Sequence, residues 1–214
     1  MRRPHRLLLA LVAGLSIAGG PATAAGAEPD QETFLAFSAT STNWTGETEP
    51  GSFRRLSISA IAGTQPNPYQ GQACIEMLDW TVTPSEVVYE RLIQGCSAFD
   101  TLVIADDLRS GHLVATVAVQ DCREQTDQRF WSQCTTASVE VDLTMAGAGP
   151  VRAIRDGFRF EYPAGGQSIY VMRARARDMD LSGDVSLGAE SLLLHPWQAA
   201  EVVVGATVFV TTPN

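Results

Sequence analysis

The sequence predicts an all-β fold, a single antiparallel β-sandwich or jelly-roll-like domain behind a cleaved secretion signal. Three observations predict it. Nearly every apolar segment alternates with period two, no segment sustains a 3.6-residue period, and Gly/Pro-rich turn clusters separate the segments at regular intervals.

The N-terminus comes first. Arg2, Arg3 and Arg6 form a basic start, and the apolar run from Leu7 to Ile17 is too short to span a bilayer comfortably. Ala22-Thr23-Ala24 and Ala25-Gly26-Ala27 both fit a small-x-small cleavage site, so residues 1–27 are read as a signal peptide and 28–214 as one domain. The general secretory route fits better than twin-arginine export. No Cys stands at the cleavage region and no sorting motif precedes a C-terminal apolar run, so no lipid or wall anchor is expected. The remaining chain of about 190 residues suits one domain with a real core.

Successive side chains on a strand face opposite sides, so period-two alternation means one buried and one wet face. In 53–62, Leu56, Ile58 and Ala60 share a face, and Arg55, Ser57 and Ser59 share the other. In 138–145, Val139, Val141, Leu143 and Met145 oppose Ser138, Glu140, Asp142 and Thr144. Similar runs fall at 33–41, 72–82, 98–105, 111–121, 151–161, 167–178, 184–194 and 199–211. The clusters "GETEPGS", "GTQPNPYQG", "DDLRSG", "MAGAGP", "YPAGGQ" and "LSG" punctuate them. Two segments break the rhythm. Pro84 to Ile93 reads as a short helix or covering loop with Pro84 at its start. Arg123 to Gln133 reads as a long polar hairpin tip.

The four cysteines are Cys74, Cys96, Cys122 and Cys134. An even count in an exported chain predicts two disulfides, and of the three pairings the local one, Cys74–Cys96 with Cys122–Cys134, is preferred because each bond brackets a turn-rich segment. There is no C-x-x-C, and only His112 and His195 follow the signal, so a zinc site is not indicated.

All 15 basic residues are arginine. Past the signal, 12 arginines face 24 acidic residues, a formal charge of −12. Such a chain repels nucleic acid and anionic membrane surfaces, and neither nucleic-acid binding nor stable membrane insertion is expected. The lack of Lys and the abundance of Ala, Gly, Val and Arg point to a GC-rich bacterial genome. Asn43-Trp44-Thr45 is a glycosylation sequon that reads as a chance match in a bacterial chain.

The segments "SGHLVATVAVQDC", "SVEVDLTMAGAGPVRA" and "RARARDMDLSGDVS" occur in that order. Together they resemble a group of secreted β-rich proteins from high-GC, actinobacteria-like bacteria. The resemblance covers roughly residues 95–190. It implies a secreted β protein and carries no assigned activity or catalytic residue.

Three groups of residues bear on function. The stretch D-M-D-L-S-G-D offers Asp178, Asp180 and Asp184 as calcium ligands, since a calcium loop wants oxygens at alternate positions and a Gly at its sharp turn. The closing bidentate acid would fall at Ala189, with Glu190 one position late. A hairpin turning at Leu181-Ser182-Gly183 explains the same residues without metal, so no cofactor is expected apart from that calcium alternative. Arg173, Arg175 and Arg177 alternate along one strand after Arg152, Arg155 and Arg159, so half of the mature arginines fall within 26 residues. Guanidinium forks match carboxylates and sulfates. A solvated face pairing with Glu140, Asp142 and Asp156 is the plainer alternative. Trp131 and Trp197, both near turns, are candidates for stacking on sugar rings.

The functional expectation is therefore a secreted extracellular binding or structural protein. Its ligand would be a cell-surface glycan or an envelope protein, held by Trp131, Trp197, Arg173, Arg175 and Arg177. The alternative is a polysaccharide hydrolase on a jelly-roll scaffold. "VEVDL" matches the start of an E-x-D-x-E or E-x-D-x-x-E glycosidase strand, but Thr144 and Met145 stand where the third acid belongs. No G-x-S-x-G is present, so no catalytic residue is assigned.

Overall fold

Period-two alternation becomes strand throughout. A computed structural model describes residues 30–44, 51–64, 71–125, 131–161, 167–193 and 196–212. The signal peptide reading lies outside them, as does His195. Ten strands form: β1 (Asp30–Trp44), β2 (Gly51–Gly63), β3 (Gln72–Val82), β4 (Val87–Ala98), β5 (Thr101–Ile104), β6 (Ser110–Gln125), β7 (Trp131–Glu161), β8 (Gln167–Leu187), β9 (Glu190–Ser191) and β10 (Ala199–Thr212). All pairings are antiparallel.

The strand order is β10-β1-β2-β3-β4-β6-β7-β8-β9, and β10 also pairs with β8. Eight strands thus close into a ring, with β5 added beside β6 and β9 beside β8. Closure removes most of the edge that an open sheet would leave unpaired. The antiparallel all-β class is the one the alternation predicts. The ring itself depends on the β8–β10 register, Glu201↔Asp178 through Thr212↔Gln167, which joins segments distant in sequence.

The inward rows are Phe37 and Ala39 on β1, Leu56, Ile58 and Ala60 on β2, and Ala73, Ile75 and Met77 on β3. They continue with Leu113 to Val119 on β6, Val139 to Met145 on β7, and Met179 and Val185 on β8, all buried in one cluster. The outward rows carry Thr116, Gln120, Glu140, Asp142, Asp180 and Asp184, which are exposed. These charges at mid-strand make the outer face of β6, β7 and the later part of β8 wet. No helix among the described residues is long and apolar enough to cross a membrane.

Both disulfides have the expected pairing, Cys74–Cys96 and Cys122–Cys134. Each joins residues directly opposite one another, on β3 and β4 or on β6 and β7.

Three local expectations are corrected. Pro84 to Ile93 is not helical: Pro84 lies in the turn before β4, and its exposed valines and tyrosine extend a hairpin with β3. "MAGAGP" is not a turn between two strands, because β7 runs through it and absorbs it as a register shift between Ala148 and Arg152. "LSG" is not a turn either, since β8 passes straight through Leu181-Ser182-Gly183.

Candidate functional site

Both ends of the ring are closed, by different chemistry. At one end the β5–β6 turn folds inward. Leu108, with φ 57°, is fully buried among the core residues. Two arginines on the inner face of β8 hold this turn. Arg175 Nη2 donates to the carbonyl of Asp106 at 2.9 Å, and Arg177 Nη1 reaches the carbonyl of Leu108 at 3.5 Å. Gly147 is needed here: a Cβ on it would lie 2.7 Å from the Arg177 guanidinium carbon and from the Leu108 carbonyl oxygen.

At the other end the inner rows switch together from apolar to charged. Leu56 gives way to Arg54, Met77 to Asp79, Ile93 to Arg91 and Val119 to Asp121. Arg54 makes two bonds to Asp79, at 2.7 and 2.8 Å, and Arg91 makes two to Asp121, at 2.8 and 2.7 Å. Glu190 on β9 closes the layer, accepting from Arg91 Nη1 at 2.7 and 2.9 Å. Its neighbour Leu192 is fully buried, so β9 and the residues after it cap this end. Hydrogen bonds from Arg91 hold the Asp121 carboxyl below the ordinary carboxylate range against the opposing effect of burial. The same bonds, opposed by burial, raise Arg91, and the Asp79 bond raises Arg54. Every charge here has a partner, which marks the layer as structural.

The open site lies beyond the Leu108 plug, on the inner face of the extended β7, β8, β10, β1 and β2. It is a groove of about 640 Å³. Thr33, Leu35, Ala62, Ala153 and Val204 supply a mainly apolar floor, and Arg155, Arg173 and Arg175 line it. Arg155 and Arg173 stand directly opposite across β7 and β8. Both are exposed, and neither has an ion-pair or hydrogen-bonding partner among the described residues. Like charges placed directly opposite on a sheet repel, so an anion between them would relieve the pair.

The arginine stripe therefore faces inward, not toward Glu140 and Asp142. Those acids lie on the outer face, where Glu140 accepts from Thr116 at 2.9 Å and Asp142 pairs with His112 Nε2 at 2.8 Å. The reason is parity: odd-numbered residues of β8 continue the row of Met179 and Val185. Arg173 and Arg175 meet in the groove with Arg155, while Arg177 belongs to the plug. Trp131 and Trp197 lie toward the other end. Trp131 begins β7 and is half-buried; Trp197 packs against the core with its Nε1 buried and unpartnered among the described residues. The structure does not bring either ring to the arginines.

Asp178, Asp180 and Asp184 lie in line on the outer face of one continuous strand. At about 3.3 Å per residue the first and last are about 20 Å apart. Arg152 pairs with Asp178 at 2.7 Å and with Glu201. Among the described residues no group of three or more His, Cys, Asp or Glu is placed to hold a metal ion.

Sequence reasoning missed the charged layer and the plug. The layer had a readable signal, a charged residue replacing the next apolar one in four strands. Leu108 had none, because a lone leucine inside "DDLRS" looks like any turn residue.

The chain matches no family model, no curated protein and no solved structure.

Proposed function

We propose that this is a secreted binding protein whose arginine groove takes an anionic ligand, a carboxylated or sulfated cell-surface glycan. One observation carries the reading: Arg155 and Arg173 oppose each other without a counter-charge among the described residues, beside Arg175, in a mainly apolar groove. In a chain with twice as many acids as arginines past its signal, an uncompensated cationic groove requires an explanation, and guanidinium forks suit carboxylates and sulfates. The basic and apolar N-terminus and the two disulfides support secretion into an oxidising compartment. The hydrolase reading gains nothing from the groove, whose lining residues include no carboxylate.

The test is binding of the oxidised protein to a polyuronate, a sulfated glycan and a neutral glucan at two salt concentrations. Anionic glycans should bind and the neutral one should not, with at least tenfold weakening in Arg155→Gln/Arg173→Gln. Equal binding of the neutral glucan, or full retention in the double variant, would discard the proposal.

A further inference from the structure

The hairpin of β3 and β4 presents a second surface, remote from the arginine groove. A register shift between Asp79 and Trp80 marks a bulge at Glu90. Bulges bend a strand and end its pairing, and here β4 leaves β6 at that point. Among the described residues, only Arg91–Gln94 of β4 pair with β6. Among the described residues nothing pairs with the preceding ones on that side, so they present an edge, apolar on both faces. Val87 is 49% exposed, Val88 41% and Tyr89 38%. Val87 and Tyr89 point outward and Val88 inward, following their partners Val82, Trp80 and Thr81.

An edge of this kind is a template for another strand, because half of its backbone N–H and C=O groups point away from β3. An in-plane strand also covers both faces at once. On the outer face it would extend a row already built: Phe53 stacks on Trp80, with ring centroids 5.4 Å apart and planes within 10°, and Trp80 stands opposite Tyr89.

Charge selects the occupant. Glu86 and Glu90 flank Val87-Val88-Tyr89, and both are exposed. In a second copy paired antiparallel about Val88, Glu86 would face the other copy's Glu90, a repulsive pair. We propose that this edge binds an extended segment of a partner protein that reads basic, three apolar, basic, added antiparallel to β4.

Fluorescence anisotropy with short labelled peptides tests this on the oxidised full chain. The probe carries a Lys-Val-Ile-Val-Lys centre. One control replaces both Lys with Glu, and a second keeps the sequence but N-methylates the residues facing β4. The Lys peptide should bind at least tenfold more tightly than either control. Val87→Ser/Tyr89→Ser, shown folded by its thermal melt, should lose at least tenfold. Equal binding of the N-methylated peptide would overturn the proposal in favour of simple charge attraction. A dimer in sedimentation that the double variant renders monomeric would overturn it in favour of a second copy.

Discussion

Arg91 donates to both carboxylate oxygens of Asp121, Nε to Oδ1 at 2.8 Å and Nη2 to Oδ2 at 2.7 Å, with both side chains almost fully buried. Removing Arg91 leaves the buried Asp121 carboxylate with only a 3.9 Å ion pair to the exposed Arg123. Arg91→Leu should therefore destabilise the chain by about 3–5 kcal/mol. Arg91→Met/Asp121→Leu should recover most of that loss, because Glu190, 39% exposed, can turn to solvent. Urea melts of the three proteins at neutral pH provide the check. A double variant as unstable as Arg91→Leu would mean that the charges themselves hold the end closed.

The same pair sets an acid limit. The Asp121 carboxyl titrates lower in the folded chain than its ordinary value of about 3.9. Its contribution is complete above that value and is lost as pH falls below it, through the lowered folded value. Between pH 5 and pH 2 the urea midpoint should fall, and it should fall less in Asp121→Asn. Parallel slopes for the two proteins would show that other carboxyls govern acid unfolding.

The strands were legible because each needs only its own alternation. Leu56-Ser57-Ile58-Ser59-Ala60 states its buried face without reference to any neighbour. Both disulfides were legible because each links residues close in sequence, 22 and 12 apart. The direction of the arginines was not. Arg173, Arg175 and Arg177 alternate with the small Ala174 and Ala176 and are followed by Asp178, so neither face looks buried locally. Only the continuation to Met179, Leu181 and Val185 through an unbroken strand places them inward, and that continuation was hidden by turn-like residues at Ser182 and Gly183. Arg155 joins them through a register shift that no local pattern encodes.

Each disulfide joins neighbouring strands that already pair, so its main effect is on the unfolded chain. For Cys122–Cys134 the chain-entropy relation gives about 3 kcal/mol, and the longer Cys74–Cys96 loop gives slightly more. Replacing either pair by Ala should lower stability by roughly that amount while leaving the far-ultraviolet spectrum that of a β protein. A pair that can be removed without loss would show that the unfolded chain was already compact.

Leu108 should behave as a core residue despite its place in a turn. Leu108→Ala leaves a cavity in the core cluster that includes Leu113, Leu143 and Met145, and should cost about 2–5 kcal/mol in chemical denaturation. The change should also free the carbonyls that Arg175 and Arg177 hold. Arg175 would then turn toward the groove, and affinity for an anionic glycan should rise in the same variant. Loss of stability with unchanged affinity would separate the plug from the groove.

Gly183 decides between a metal loop and a strand. Its φ is 120°, and a Cβ there would stand 2.0 Å from the Asp142 carbonyl oxygen. The close approach of β7 to β8 therefore requires the glycine. Gly183→Ala should destabilise by roughly 2 kcal/mol or more, since it combines a strained backbone with a direct clash. Asp180→Asn and Asp184→Asn should be nearly neutral. An ion that binds the folded form raises its melting temperature, so calcium in place of chelator should leave the melting temperature unchanged in all four proteins. A calcium-dependent rise in the wild type that disappears in Asp180→Asn and Asp184→Asn would restore the stretch as a cation site.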